Sequence, residues 1–328
     1  MTEKGEPLFF CLNGSRKLGE AVSDRLGWPL SDHEEREFES GEHKARPLVE
    51  VGSRDVYLLH HMEGNALQSA NDKLVRTLFF IGALKHAGAR SLTAVTPYLP
   101  YARKDRRTKP RDPVSMRYVA MLFEAMDADA LITLDIHNLA AFENAFRYCR
   151  AENLTAAEII ADAIIPTLGD EPVTVVSPDA GGQKRAEIFR VVLENKTGNP
   201  VGNALLEKHR SGGVVRGSLF SGDVQGRTVI IIDDMISSGG TIMRAVKTCR
   251  DKGAARVFAA ATHGLFSNGA DQLFERGGPD RTIVTDSVTI PATFISERLE
   301  IISAAPLLAD AIARLSNGEP FYDLVPYS

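Results

Sequence analysis

The chain has 328 residues, of which 44% are hydrophobic, and a formal net charge of −5 at pH 7. This length and apolar content predict two domains of ordinary size, each with its own core. The acidic balance argues against a general nucleic-acid or membrane-surface role. The N-terminus has no cleavable signal pattern, and no segment approaches the roughly 20 apolar residues of a membrane span. We therefore expect a cytoplasmic protein without nucleic-acid or membrane partners.

The cysteines give a second exclusion. Cys11, Cys149 and Cys249 are odd in number, widely spaced and without a CxxC pair. This pattern indicates reduced structural thiols rather than a zinc site or a disulfide framework.

Apolar strands and amphipathic helices alternate along the first half of the chain. Strands are predicted at residues 8–14, 55–61, 91–97 and 130–135. Between them, residues 71–88 are predicted to form a helix, because apolar side chains recur on one face. Asn71 or Asp72 is its expected N-cap.

The second half repeats this alternation. Strands are predicted at residues 173–178, 228–234, 257–264 and 281–287, with helices at 241–252 and in the closing segment SAAPLLADAIARLSNGE. Pro306 suits the first position of the closing helix, and Gly318 suits its end. Strands that alternate with helices imply mainly parallel sheets covered by helices on both faces.

The stretch VIIIDDMISSGGT, residues 229–241, joins an apolar strand to two acids and then to a turn rich in hydroxyls and glycines. Ligands of open α/β sheets bind at the carboxyl ends of strands, and N–H groups at a helix N-terminus suit a phosphate dianion. The acids would repel phosphate, so they are expected to bind the neutral hydroxyls of a sugar. The predicted sugar-phosphate contacts are Asp233, Asp234, Ser237, Ser238, Gly239, Gly240 and Thr241.

A second polar segment lies at residues 98–115. Six basic side chains lie between residues 103 and 111, and Asp105 is the single acid among them; Asp112 follows directly. Its local charge suits a polyphosphate. Charge alone leaves open a solvated basic loop, because such runs usually lie at the surface.

The order of these residues resembles a known family. Residues 229–241 resemble the phosphoribosyl-pyrophosphate loop of the type I phosphoribosyltransferase fold. Residues 98–115 resemble the ATP-binding segment of ribose-phosphate pyrophosphokinases. Further segments match that family in its order, so that the resemblance covers nearly the whole chain: NDKL at 71–74, LDIHN at 134–138, VVSPDAGGQKRA at 175–186, ATHGLFS at 261–267 and the closing helix.

The resemblance implies an α/β fold of two tandem type I phosphoribosyltransferase-like domains, each a mainly parallel sheet flanked by helices. Residues 1–155 would carry the ATP-binding segment. Residues 156–328 would carry the ribose 5-phosphate loop and the closing helix. The implied reaction converts ATP and D-ribose 5-phosphate to AMP and 5-phospho-α-D-ribose 1-diphosphate.

The resemblance also implies the catalytic residues. Lys208 and Arg210 match a mobile catalytic loop and would clamp the diphosphoryl group during transfer. His137 would reach the β-phosphate or a magnesium-bound water. Asp179 would bind magnesium or anchor the ribose through a coordinated water. Magnesium itself is expected because a polyphosphate requires a hard cation that keeps several waters.

The nucleotide contacts follow from two matched segments, one of which is expected to complete the ATP site of a neighbouring subunit in a homo-oligomer. These contacts are Arg103, Lys104 and Asp105, with Phe38, Ser40 and Glu42 from the neighbour. The family pattern has an acid where this chain has Ser40. Selectivity among purine nucleotides is therefore open.

Two alternatives remain at this point. A base phosphoribosyltransferase would share the loop at 229–241 but would not need residues 98–115. A catalytically silent regulatory relative would assemble with active synthetases. The C-terminal sequence also departs from the hydroxyl-rich tail of many members, with Pro320, Phe321, Tyr322 and Asp323 in its place. We therefore expect weak or absent activation by phosphate.

Overall fold

The computed structural model describes residues 5–211, 214–320 and 322–325, apart from the side chains of residues 207–219. The chain divides into two compact units. Unit 1 comprises Met1–Thr155, Ser287–Thr289 and Ala304–Tyr327, and unit 2 comprises Ala156–Asp286, Ile290–Ser303 and Ser328. Within the described ranges, no helix combines the length and the apolar character needed to cross a membrane.

Unit 1 is built on a five-stranded parallel sheet of order β1-β4-β5-β6-β7, and β2 and β3 form a separate antiparallel hairpin. Its elements are β1 (Leu8–Cys11), α1 (Arg16–Leu26), β2 (His33–Glu37), β3 (His43–Pro47), β4 (Asp55–Leu59), α2 (Ala70–His86), β5 (Ser91–Val95), α3 (Ser115–Ala125), β6 (Ala130–Leu134), α4 (Leu139–Glu143) and β7 (Arg150–Leu154). The four predicted strands are confirmed. The hairpin and β7 escape prediction because their sequences are largely polar.

The side-chain alternation of β1 divides the core of this unit into two layers. Phe9 and Cys11 face the layer that contains α1, whereas Leu8 and Phe10 face the layer that contains α2 and α3. Successive side chains of a strand point to opposite faces, so a strand that is apolar throughout requires helices on both sides.

The N-cap prediction for α2 is wrong by two or three residues. Ser69 is the N-cap, and its hydroxyl accepts a hydrogen bond from the backbone N–H of Asp72 at 3.2 Å. The Asp72 carboxylate accepts in return from the Ser69 backbone N–H at 2.7 Å. This reciprocal capping box satisfies two N–H groups at the helix start, so Asp72 contributes to the cap from inside the helix.

Unit 2 contains a seven-stranded sheet of order β10-β9-β8-β11-β12-β13-β14, in which only β10 runs antiparallel to its neighbour. Its elements are α5 (Ala157–Ile164), β8 (Val173–Ser177), α6 (Gln183–Thr197), β9 (Val201–Ser211), β10 (Val214–Ser221), β11 (Thr228–Ile236), α7 (Gly240–Asp251), β12 (Arg256–Gly264), β13 (Arg281–Thr285) and β14 (Leu299–Ile302). α5 and α6 cover one face, and α7 covers the other. The alternating α/β architecture is thus confirmed in both units.

The closing helix, α8 (Ala305–Asn317), belongs to unit 1, which corrects its predicted place in the second domain. Its buried Leu308 and Ile312 join the core layer of Phe9 and Tyr57. The apolar stripe of α8 covers the part of this sheet face that α1 leaves uncovered. The order of the elements in the sequence does not indicate on which sheet α8 packs. Its ends agree with prediction, since Pro306 lies in the first turn and Gly318 follows in the left-handed conformation with φ of 72°.

All three cysteines are free and buried, as predicted. Burial raises the pKa of each thiol to about 12. They are therefore protonated core residues rather than reactive groups.

Candidate functional site

The segment 229–241 forms a strand, a tight loop and a helix start. β11 continues two residues past the predicted end, and α7 begins at Gly240, one residue early. Gly239 precedes the helix with φ of 74°, a conformation that favours glycine. A Cβ at this position would lie 2.9 Å from Leu273 Cδ1, so the loop backbone also passes close to the core.

The two acids at the end of β11 are not equivalent. The side chain of Asp234 is 3% exposed, whereas that of Asp233 is 19% exposed and accepts a hydrogen bond from the Asp234 backbone N–H at 2.9 Å. Burial, followed by the charge of Asp234, raises the pKa of Asp233 well above its ordinary range. The prediction that both carboxylates bind a sugar is therefore best supported for Asp233.

Arg185 is a site residue that the sequence prediction missed. It lies in the first turn of α6, and its Nη1 lies 3.4 Å from Asp233 Oδ1 and 3.6 Å from Asp234 Oδ1. One guanidinium thus offsets part of the charge of both acids. The available signal was its position in the matched segment VVSPDAGGQKRA, where a basic residue follows the glycines of a strand end.

Asp179 lies at the end of β8, the strand next to β11. Its Oδ1 accepts from the backbone N–H groups of Gly181 and Gly182 at 3.0 and 3.2 Å, so it caps a short 3-10 helix. The capping leaves Oδ2 as the oxygen suited to a metal or to a metal-bound water.

The three predicted triphosphate residues have different surroundings in unit 1. Arg103 is exposed, whereas Lys104 Nζ contacts Asp112 Oδ2 at 2.6 Å. Asp112 also accepts from the backbone N–H groups of Thr108 and Lys109, at 3.1 and 3.0 Å. The contact with Lys104, followed by the hydrogen bonds from Thr108 and Lys109, lowers the pKa of the Asp112 carboxyl. The basic segment is therefore a closed loop around Asp112 rather than an extended run.

Asp105 connects this loop to the end of β6. Its Oδ2 accepts from Asn138 Nδ2 at 2.6 Å, and Asn138 Oδ1 caps α4 by accepting from the Ala141 N–H at 3.2 Å. His137, the residue before Asn138, is exposed. The structure thus joins two segments that the sequence separates by about thirty residues, and Asn138 is a second residue that the prediction missed.

Phe38, Ser40 and Glu42 lie together at the tip of the β2–β3 hairpin. The Phe38 N–H donates to the Glu42 carbonyl at 2.8 Å, which closes the turn. The Ser40 hydroxyl donates to Glu42 Oε2 at 3.0 Å. A neutral residue at position 40 therefore supports the Glu42 carboxylate, where an acid would repel it.

Contacts of Glu35 and Glu37 hold this hairpin on the rest of unit 1. Glu35 accepts from the backbone N–H of Asn13 at 2.6 Å and contacts the Nε2 atoms of His33 and His43, each at 3.1 Å. Arg76 of α2 contacts Glu37 at 2.7 Å. The tip residues are thus carried on an anchored support.

Lys208 and Arg210 lie near the end of β9, not in a loop. Their backbones pair with Ser218 and Val215 of β10, and the register shifts between Val215 and Ser218. The side chains of Lys208 and Arg210 lie outside the described residues. The strand pattern of this segment is weak in the sequence, and pairing with the antiparallel strand β10 provides backbone hydrogen bonds to β9.

The described residues include no group of three or more His, Cys, Asp or Glu side chains that could enclose a metal ion. The donors present are single carboxylates, such as Asp179. Such donors fit a magnesium ion that is held chiefly by water and by phosphate oxygens. Magnesium ions are commonly bound in this way in phosphoryl-transfer sites.

Comparison with known proteins identifies the family in which this arrangement of motifs occurs. Residues 8–126 match the family model of the N-terminal domain of ribose phosphate pyrophosphokinase, and residues 218–325 match that of the phosphoribosyl synthetase-associated domain. The chain is 35% identical over 323 residues to a ribose-phosphate pyrophosphokinase of Ureaplasma parvum, covering 97% of this chain and 94% of the relative. It is 33% identical over 309 residues to that of Hyphomonas neptunium, covering 94% and 96%.

A solved structure agrees with the sequence relatives. The crystal structure of phosphoribosylpyrophosphate synthetase from Mycobacterium smegmatis superposes with a TM-score of 0.85 at 32% identity, covering 95% of this chain and 99% of that one. The similarity extends over both units.

Proposed function

Because the chain belongs to the ribose-phosphate pyrophosphokinase family, we propose that it transfers the β,γ-diphosphoryl group of ATP to the anomeric hydroxyl of ribose 5-phosphate. The products are AMP and 5-phospho-α-D-ribose 1-diphosphate. Two structural features of the same chain carry this proposal: the loop of acids and glycines that follows β11, and the hydrogen bond between Asp105 and Asn138 that connects the basic loop to the end of β6. The chain that contains both features matches its relatives over nearly its full length.

On unit 2, the loop after β11 binds the 5-phosphate of the sugar through backbone N–H groups and the hydroxyls of Ser237, Ser238 and Thr241. Asp233 accepts hydrogen bonds from the ribose hydroxyls. Arg185 offsets part of the charge of Asp233, so it favours the ionised, accepting form and partly opposes the rise in pKa that burial causes.

On unit 1, the exposed Arg103 binds the triphosphate, with Lys104 and Asp105 beside it. Lys104 exchanges its contact with Asp112 for a phosphate oxygen, or acts through that contact to keep the loop closed. His137, which follows β6, would reach the β-phosphate or a water bound to magnesium.

The reaction places developing charge on phosphoryl oxygens, so positioning and cationic stabilisation are its main requirements. Lys208 and Arg210 would supply the cations that contact the transferring group. A comparable arginine contact in other phosphoryl-transfer enzymes is worth about 10³ to 10⁵ in rate. Bound magnesium would neutralise the polyphosphate, and Asp179 would hold it directly or through water.

The same proposal includes a homo-oligomer in the cytoplasm. Phe38, Ser40 and Glu42 project from an anchored hairpin, and they would complete the nucleotide site of a neighbouring copy. Weak phosphate activation stays a prediction from the altered tail, in which Asp323 pairs with Arg314 at 2.6 Å.

The direct test measures AMP and 5-phosphoribosyl diphosphate after incubation with ATP, ribose 5-phosphate and magnesium. Formation of both products in equal amounts, with a loss of at least about a thousandfold in Lys208→Ala, supports the synthetase. Absence of product with every nucleotide would favour the silent relative. Consumption of the diphosphate with a free base would favour the phosphoribosyltransferase.

A further inference from the structure

The loop after β11 is held along one side by the segment that follows β12. We name residues 265–273 the brace. Phe266 N–H donates to the Ile236 carbonyl at 3.1 Å, and Ser267 N–H donates to the Ser237 carbonyl at 3.1 Å. Gln272 Nε2 donates to the Ser238 carbonyl at 3.3 Å. Three consecutive carbonyls, that of the last residue of β11 and those of the first two loop residues, are therefore bound by one segment.

This pattern fixes the direction of the loop N–H groups. In a trans peptide, the carbonyl of one residue and the N–H of the next point in opposite directions. Because the carbonyls of residues 236, 237 and 238 point to the brace, the N–H groups of residues 237, 238 and 239 point away from it. None of these three N–H groups donates to an oxygen elsewhere in the described chain. Successive N–H groups turned to one side form a concavity suited to an anion.

The brace is itself held in place by side chains. Gln272 Nε2 also donates to the Gly269 carbonyl at 2.7 Å, so both amide hydrogens of Gln272 point to carbonyl oxygens. The hydroxyls of Ser267 and Ser237 lie 3.0 Å apart. These contacts connect the brace to the loop by side chains as well as by backbone.

Phe266 anchors the brace in the core of unit 2. It is 3% exposed and has φ of 35°, a left-handed value that non-glycine residues rarely adopt. Its ring lies 5.5 Å from that of Phe274 and 5.4 Å from that of Phe294, measured between centroids. Such strain persists only where packing fixes the conformation, and it clusters at functional sites.

We infer that the brace presets the ribose 5-phosphate loop, with Gln272 and Ser267 as positioning residues that hold three consecutive N–H groups toward the 5-phosphate before the sugar binds. The inference rests on the proposed function. It extends the site to a segment that neither contacts the reacting atoms nor lies in the loop. Donors that already have the bound orientation bind an anion without a further ordering cost. If the brace no longer holds them in that orientation, binding of the sugar phosphate should weaken selectively.

The test compares Gln272→Leu, which removes both amide donors, with Gln225→Leu on the exposed surface of unit 2. Calorimetric binding of ribose 5-phosphate should weaken about tenfold in Gln272→Leu and stay unchanged in the control. The KM for ribose 5-phosphate should rise by a similar factor, and the KM for ATP should not change. Thermal unfolding of each variant separates positioning from a general loss of structure.

Ser267→Ala and Ser267→Thr provide an independent second test. The alanine variant should bind ribose 5-phosphate severalfold more weakly than the wild type. The threonine variant, which keeps the hydroxyl, should bind it with the affinity of the wild type. Wild-type affinity in both Gln272→Leu and Ser267→Ala would overturn the inference while leaving product formation intact. Sugar-phosphate binding without product would contradict the proposed function and leave this comparison valid. Absence of binding by the wild type would overturn both.

Discussion

Asn138 Nδ2 donates to Asp105 Oδ2 at 2.6 Å, which connects the basic loop of unit 1 to the end of β6. The contact joins two motifs that are distant in sequence and that we propose to act together in binding the nucleotide. One side chain makes two contacts here: the amide nitrogen of Asn138 donates to Asp105, and its amide oxygen caps α4. A residue that lacked either group would lose one of these roles.

Asn138→Asp should raise the KM for ATP about tenfold. The variant keeps an oxygen for the cap but places a second carboxylate against Asp105, which repels it and loosens the loop. The KM for ribose 5-phosphate should not change. Steady-state kinetics with each substrate varied in turn measures the difference.

The reciprocal exchange is the control for this prediction. Asn138→Asp combined with Asp105→Asn reverses donor and acceptor and should recover part of the affinity for ATP. A double-mutant cycle with no coupling between the two positions would contradict the connection.

Asp233→Asn should stabilise the protein more at high pH than at low pH. Burial and the charge of Asp234 raise the pKa of Asp233, so the folded state holds this proton more tightly than the unfolded state. The free energy of unfolding therefore falls as pH rises from the unfolded pKa of about 4 toward the raised folded value. The gain from asparagine should grow across that window, by roughly 1 kcal/mol or more.

Urea unfolding at several pH values measures this effect, and two variants control it. Arg185→Leu removes the cation that favours ionised Asp233, so it should steepen the loss of stability with pH. Asp170→Asn, at an exposed position of unit 2, should leave the slope unchanged. A wild-type slope in Asp233→Asn would show that the buried acid does not titrate as its surroundings indicate.

Ser40→Asp should increase discrimination between ATP and GTP. An added carboxylate can accept from the 6-amino group of adenine and repels the 6-oxo group of guanine, whereas the Ser40 hydroxyl donates to Glu42 in this chain. The ratio of kcat/KM for the two nucleotides should rise about tenfold. Ser40→Ala keeps position 40 uncharged and should leave the ratio near its wild-type value. Equal ratios in all three proteins would refute a role for this position in base selection.

The parts of the site that the sequence predicts are those encoded within one segment. The run from Val229 to Thr241 specifies its own strand, turn and helix start, so that only the ends shift by one or two residues. The alternating elements likewise predict both sheets. In contrast, the roles of Gln272, Arg185 and Asn138 depend on hydrogen bonds to residues at least thirty positions away.

Element placement fails for a related physical reason. α8 follows β14 in sequence but packs on the sheet of unit 1, because the apolar layer around Phe9 needs a second helix. The β2–β3 hairpin is polar on both faces and lacks the alternation that predicts a half-buried strand. Its position depends on contacts such as Arg76–Glu37.

The measurement that tests the central claim most directly follows labelled phosphorus from ATP in the presence of ribose 5-phosphate and magnesium. Label in the α-phosphate should appear in AMP, and label in the γ-phosphate should appear in 5-phosphoribosyl diphosphate. This result requires transfer of the intact diphosphoryl group. Label from the γ-phosphate in inorganic phosphate or in a ribose bisphosphate, with ADP as the other product, would contradict the account.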